Sequence, residues 1–230
     1  MTGFFITGTD TNIGKTLVAG ALLRAYSGLG YKTVGMKPVA AGAELVDGVW
    51  QHEDVVLLRA AGNVTAAPEL VNPYLFREAI APHIAAEHKG VTIEIPRIRA
   101  AYESLAGQAD VVVVEGVGGF RVPLSATTDS ADLVVALNLP LILVVGMRLG
   151  CLNHALLTAE AIATRGLRLG GWVANRLDAR MLAYDENLAC LGANLGGPPL
   201  AEIPYLDRPD PARIAHNLAP KRLREMLGNV

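Results

Sequence analysis

The stretch "ITGTDTNIGKT", residues 6–16, brings together the first residues able to do chemistry. Gly14-Lys15-Thr16 has the form of the end of a phosphate-binding loop. In such a loop backbone N–H groups surround a phosphate, the lysine reaches the β- and γ-phosphates, and the hydroxyl meets Mg²⁺. The usual spacing is G-x-x-x-x-G-K-[ST], whereas five residues separate Gly8 from Gly14 here. A strand pattern, "FFIT" (4–7), precedes the loop and an amphipathic helix pattern starts near Thr16, which is the context a phosphate site needs. The bland alternative is a strand-turn-helix connection whose Gly and Asp serve only the turn.

A Mg·ATP site also needs hard oxygen ligands. Glu115 closes the apolar run 111–114, and an acid at the end of a buried strand is costly unless something binds it. The glycines of "EGVGG" (115–119) would let backbone approach a phosphate or substrate. Lys37 in "GMKPVAAG" is held extended by Pro38 and would be delivered to the carboxyl edge of a sheet. A second lysine there suits a reaction that builds negative charge on transferred phosphoryl oxygens, although a Lys-Pro at a strand end is more often plain surface. Asp54 in "QHEDVVLLRA", taken alone, reads as an acid or cap at a helix N-terminus. The five histidines lack metal-ligand spacing, and no serine or histidine sits in a nucleophile elbow. His83 and His154 read as structural imidazoles.

The elements that must position these residues alternate. Strands are expected at 4–7, 33–39, 110–116, 141–146, 170–175 and 200–204, and helices at 96–107, 151–165, 181–192 and from Pro211 onward. Strands apolar on both faces imply helices on both sides of a mostly parallel sheet, with the site at the carboxyl ends of the strands. The expected fold class is α/β of the P-loop NTPase kind, a single domain over 1–230. No repeat or low-complexity linker divides the chain.

Composition narrows the function. With 51 % hydrophobic and 18 % charged residues and a formal net charge of −2, there is no basic surplus to attract nucleic acid or anionic lipid. Cys151 and Cys190, without CxxC spacing, fit free thiols in a reducing compartment. The run "LVVALNLPLILVVGM" (133–147) is too short to span a bilayer and is interrupted by Asn138 and Pro140, so it reads as a helix end, a turn and a central strand. No signal-peptide pattern is visible. A cytoplasmic protein with no membrane or nucleic-acid partner is expected.

The segments "TGTDTNIGKT", "MKPVAAG", "VNPYLF", "APHIAA", "VVVVEGVGGFRVPL", "LPLILVVGMRLGCLNHALLT" and "GGWVAN", in this order, resemble the dethiobiotin synthetase family. The likeness covers nearly the whole chain, thinning at about 43–52, 176–198 and beyond 207, and the lengthened phosphate loop is itself a feature of that family. The resemblance implies ATP-dependent closure of a cyclic urea from 7,8-diaminononanoate and CO₂, giving dethiobiotin, ADP and phosphate. It passes through an N7-carbamate and a carbamic-phosphoric anhydride. It implies Lys15 and Lys37 as catalytic residues, with Thr16, Asp54 and Glu115 holding Mg²⁺. Nucleotide contacts would come from Asn12, Ile13, Gly14, Lys15, Thr16, Leu17, Asp54, Glu115, Gly116, Val117 and Gly118. Asn175 would read the adenine edge, with Arg176, Pro204, Tyr205 and Leu206 around the base. Thr11 and Ala41 would face the diamine. A homodimer is implied too, in which the substrate carboxylate meets the helix N-terminus at Gly150, Cys151, Leu152 and Asn153 of the second copy. Two positions depart from the pattern. Ala41 stands where relatives often carry Ser or Thr, and Asn12 where an acid also occurs. Asn187 lies in a divergent stretch and is left unassigned.

Two other readings share this kind of nucleotide domain. Amide-forming enzymes of cobalamin synthesis need a glutaminase domain, for which the matched chain leaves no residues. Partition-type switch ATPases carry an extra lysine five residues before the invariant one, and Asp10 stands there.

Overall fold

The computed structural model describes residues 2–216 and 218–228. The first half runs β1 (Thr2–Gly8), α1 (Lys15–Gly28), β2 (Thr33–Met36), β3 (Val39–Ala41), β4 (Glu44–Val46), β5 (Val49–Gln51), α2 (Glu53–Ala61), α3 (Pro68–Val71), β6 (Tyr74–Phe76), α4 (Pro82–His88) and α5 (Ile95–Ala106). The second half runs β7 (Val111–Glu115), α6 (Ser130–Leu137), β8 (Leu141–Met147), α7 (Cys151–Thr164), β9 (Leu169–Arg176), α8 (Tyr184–Asn194), β10 (Ala201–Ile203), α9 (Pro211–Ala215) and α10 (Pro220–Gly228).

Six strands form the main sheet in the order β10-β9-β8-β1-β7-β2, every neighbouring pair parallel. Because side chains alternate across a strand, the apolar runs feed both faces. Phe4 and Ile6 of β1, with Val111 and Val113 of β7, pack toward α1 and α9. Phe5, Val112 and Val114 pack the other way, toward Ile98, Ala101 and Leu105 of α5 and Leu133 and Val134 of α6. At the far side Trp172 is sealed beneath α7 and α8, its indole N–H donating to the Gly197 carbonyl at 2.9 Å. Tyr26 is also fully buried, stacked on Phe4 with centroids 5.9 Å apart and donating its hydroxyl to the Leu223 carbonyl at 3.1 Å. Each such burial contributes about 1.5–3 kcal/mol.

The expected strand 33–39 ends early, at Met36. Pro38 has no N–H to offer a ladder, and Lys37 instead donates its backbone N–H to the Val71 carbonyl at 2.8 Å. Val39–Ala41 then pairs in parallel with β6 as a separate small sheet. The expected helix 181–192 begins at Tyr184, and the tail from Pro211 divides into two helices at Pro220. The segment 133–147 is the end of α6, a left-handed turn at Asn138 and the wholly buried β8. Among the described residues no helix is long and apolar enough to cross a membrane.

Candidate active site

Parallel strands point their carboxyl ends one way, so Gly8, Lys37, Glu115 and Asn175 arrive along one edge. A cavity of about 710 Å³ opens there. The phosphate loop contributes Thr11, Asn12, Gly14, Lys15 and Thr16, and Lys37 and Ala40–Gly42 line the side beyond β2. His52, Glu53 and Asp54 enter from the start of α2, and Glu115, Val117, Gly118 and Gly119 from the end of β7. A larger cavity of about 800 Å³ behind α2 lacks the lysine–carboxylate cluster.

The cluster is tight. Lys37 Nζ lies 2.6 Å from Glu115 Oε1 and 2.7 Å from Asp54 Oδ2, and donates to the Gly116 carbonyl at 3.2 Å. The Thr16 hydroxyl is 2.7 Å from Asp54 Oδ1 and 2.8 Å from Glu115 Oε1, so its one proton can satisfy only one of them at a time. Asp54 is placed by the cap of α2, where its backbone N–H donates to His52 Nδ1 at 3.2 Å. Lys37 is clamped on both sides of its own backbone: the Asn72 amide donates to the Lys37 carbonyl at 2.5 Å, opposite the bond from Lys37 N–H to Val71. Lys15 Nζ donates to the Asp10 carbonyl at 2.7 Å, and the Asp10 carboxylate pairs with Arg148 at 2.6 Å.

Burial dominates the electrostatics. It pulls the Lys15 ammonium down, helped by the like charge of Lys37, from 10.5 to about 8. Burial also pulls on Lys37, but Glu115 and Asp54 outweigh it and raise that lysine above its ordinary value. Glu115, almost wholly buried, is pushed up by burial despite Lys37. Asp54 feels burial too, yet Lys37 and the Thr16 hydroxyl hold it below the usual carboxylate value.

Asn175, at the end of β9, is 7 % exposed and donates its amide N–H to the Ile13 carbonyl at 2.8 Å. Pro204, Tyr205 and Leu206 follow β10 directly beside it, since Ile203 is the register partner of Asn175. Tyr205 is 47 % exposed, and neither Asn175, Arg176 nor Pro204–Leu206 lines the 710 Å³ cavity itself. Arg176 turns into its own loop, donating to the carbonyls of Asp178 and Ala179 and lying 4.7 Å over the Tyr184 ring. The side chains of Ile13 and Leu17 are buried in the core, which leaves only their backbone to face a ligand. Gly116 donates its N–H to the Ile6 carbonyl, and its own carbonyl receives Lys37. Gly150, Cys151, Leu152 and Asn153 open α7 without a side-chain cap and do not line the cavity of the same chain.

A family model described as an AAA domain matches residues 2–213. The ATP-dependent dethiobiotin synthetase BioD of Aromatoleum aromaticum is 56 % identical over 215 residues, 94 % of this chain and 96 % of that protein. The chain belongs to the dethiobiotin synthetase family. The BioD proteins of Ralstonia nicotianae and a Janthinobacterium species are 56 % and 53 % identical, each across 92 % of this chain and, respectively, 92 % and 91 % of those proteins. Among solved structures, MinD in its complex with MinC from Aquifex aeolicus aligns with a TM-score of 0.60 at 14 % identity, over 99 % of this chain and 96 % of that one. A ParA family ATPase from Chlorobium tepidum aligns at 0.56 and 16 %, over 99 % and 96 %. At such identities these two bear on the fold alone, a P-loop NTPase sheet.

The synthetase site has donors suited to Mg²⁺. Among the described residues no group of three or more His, Cys, Asp or Glu could hold a metal ion. Mg²⁺ does not need one, because it is bound through one or two carboxylates with phosphate and water completing the shell. Thr16, Asp54 and Glu115 supply hard oxygens only, and Glu115 Oε2 is buried with no hydrogen-bond partner. The cavity takes Gly119 of the "EGVGG" run, and also residues that sequence reasoning left unassigned: His52, Glu53, Val122 and Ala79–Pro82. His52 and Glu53 sit in a cap stretch too common to single out, while Ala81, Pro82 and Val122 lie in segments that carried the family likeness without a role of their own. Ala41 lies on the wall and presents a methyl group where a hydroxyl would add a polar contact.

Proposed function

We propose that the protein is an ATP-dependent dethiobiotin synthetase, a ligase that closes the cyclic urea of dethiobiotin from 7,8-diaminononanoate and CO₂. It would work as a single-domain subunit of a cytoplasmic homodimer. The observation that carries this reading is the meeting of Lys15, Lys37, Thr16, Asp54 and Glu115 at one cavity, in a chain of this family.

The diamine captures CO₂ at N7 as a carbamate. A carbamate oxygen attacks the γ-phosphorus, ADP leaves, and a carbamic-phosphoric anhydride forms. The second amine then attacks the carbamate carbon, losing a proton as phosphate departs. Bringing an anionic carbamate to an anionic triphosphate concentrates negative charge, so fixed positive charge must flank the transferred group. Lys15 sits on the nucleotide side, beneath the loop. Lys37, which follows β2, would serve the acceptor side. Thr16, Asp54 and Glu115 would hold Mg²⁺, which would supply charge neutralisation for the transferred phosphoryl group. Asn175 would read the adenine, and Gly118 and Val117 would bring backbone toward the reacting groups.

The uncapped N-terminus of α7 would receive the substrate carboxylate of a second copy, as a helix N-terminus favours an anion. The test mixes pure protein with diaminononanoate, bicarbonate and Mg·ATP and looks for dethiobiotin by mass. A folded protein that yields no product defeats the proposal. A switch ATPase is not favoured, because Asp10 occupies the position of the lysine such proteins need.

A further inference from the structure

The extra residue of the phosphate loop has a visible structural use. Asn12, at φ 57°, and Gly14, at φ 92°, are both left-handed, and between them Ile13 is turned inward to 1 % exposure. Its side chain drops into a socket made by two glycines. A Cβ on Gly8 would come within 2.6 Å of Ile13 Cδ1, and one on Gly146 within 2.7 Å of Ile13 Cγ2. Side-chain packing fixes where Ile13 sits but not how its peptide group is turned.

Asn175 does that. Its Nδ2 takes the Ile13 carbonyl at 2.8 Å, and a Cβ on Gly14 would meet the same nitrogen at 2.4 Å. The carbonyl of Ile13 and the N–H of Gly14 belong to one planar trans peptide, so they point in opposite directions. Holding the carbonyl on Asn175 therefore aims the Gly14 N–H away from Asn175, from a residue that lines the cavity. The primary amide has further capacity: one N–H is used, leaving the second N–H and the carbonyl oxygen. Those two are the complement of a purine edge that offers an amino donor beside a ring-nitrogen acceptor.

We infer that Asn175 is a positioning residue for the phosphate loop as well as a reader of the base, so that base and phosphates are bound as one coupled unit. This rests on the nucleotide-site reading above and deepens it. A side chain that only recognised the base would leave base-free phosphate binding untouched. One that also sets the Ile13–Gly14 peptide must affect both.

The probe is Mg²⁺ with tripolyphosphate, which has no base, titrated calorimetrically into the wild type and Asn175→Ala alongside ATP. The variant is expected to lose about five- to tenfold in tripolyphosphate affinity, the usual consequence of deleting one partner of a buried hydrogen bond. Unchanged tripolyphosphate affinity together with weakened ATP binding overturns the inference and leaves the nucleotide site standing. A wild type that binds neither ligand overturns both. Should Asn175→Ala fold poorly, hydrogen exchange on the wild type answers the same question. Adenosine alone, without phosphates, should slow exchange of the loop amides at residues 11–15, and no change there overturns the coupling.

Discussion

Lys37 carries two carboxylates at once, and replacing it by the uncharged, similarly long methionine measures how much. In Lys37→Met the Glu115 carboxylate, 1 % exposed and with Oε2 already unpartnered, loses the ammonium 2.6 Å away, and Asp54 loses it at 2.7 Å. Removing one partner of a buried ion pair costs about 3–5 kcal/mol. Glu115 has an escape, because it can take up a proton. From an ordinary value of 4.5 to pH 7 that uptake is limited to about 3 kcal/mol, at about 1.4 kcal/mol per pH unit. Asp54 is partly exposed and adds little.

The expected loss at pH 7 is therefore about 3 kcal/mol, or on the order of 10 °C in Tm for a chain of this size. Its sign with pH follows from Glu115, whose folded value burial already raises in the wild type and which the variant deprives of the opposing ammonium. The penalty is full above that value and fades as pH falls toward 4.5, so the gap to wild type narrows on acidification. Millimolar MgCl₂ without nucleotide should stabilise the variant more than the wild type, since only in the variant is the oxygen cluster free of its ammonium. Urea unfolding at pH 5.5, 6.5 and 7.5, with and without MgCl₂, reads all three. A loss below about 1 kcal/mol, a gap that stays constant with pH, or an equal response to MgCl₂ would refute the reasoning.

Three further outcomes are expected. Because burial lowers Lys15 to about 8, nucleotide phosphate should restore its proton, with uptake of roughly 0.7 proton per ATP at pH 8.5, read by calorimetry in buffers of different ionisation enthalpy; zero uptake contradicts the shift. Gly146→Ala should weaken ATP binding about tenfold and more than Gly8→Ala does, because the new methyl meets the branched Cγ2 and Cβ of Ile13, not the free end of its chain; the reverse order in titrations would show that the socket does not set the loop. Asn72→Ala, which frees the Lys37 carbonyl, should cut turnover about five- to tenfold with the KM for ATP unchanged, and a rise confined to the ATP KM would remove Asn72 from the acceptor side.

Much of the main sheet was legible because its strands are apolar runs with no rival pattern. "VVVVE" and "LILVVGM" can bury both faces only in a covered parallel sheet, and so the carboxyl edge with Lys15 and Glu115 followed. Lys37 was placed at that edge, but the break after Met36 was not foreseen, since Val39 beyond Pro38 prolongs the strand pattern and hides the missing donor. The excursion from Ala43 to Glu94 was hardly read. Its elements are short and half exposed, so periodicity has too few turns to register. One available signal there went unread: "VDGV" places Asp47 and Gly48, at φ 50° and 78°, in the two-residue turn of the β4–β5 hairpin. Asn175 could be suspected of meeting a base from family likeness, but its hold on Ile13 spans 162 residues of sequence, and no local pattern reports such a contact.

The rupture of the second strand at Pro38 has a consequence for how such a site can change. Lys15 and Thr16 are mounted on the loop and helix that follow the central strand, whereas Lys37 is secured by the Val71–Asn72 segment and leads into the small β3–β6 sheet. The two walls of the cavity thus rest partly on different supports and are joined where Lys37 and Thr16 meet Glu115 and Asp54. Substitutions around the small β3–β6 sheet and at Ala79–Pro82 can reshape the Lys37 wall while Lys15 and Thr16 keep their footing, provided His52–Asp54 and Val71–Asn72 are kept. A chemistry of phosphoryl transfer can in this way be inherited intact while its acceptor is exchanged.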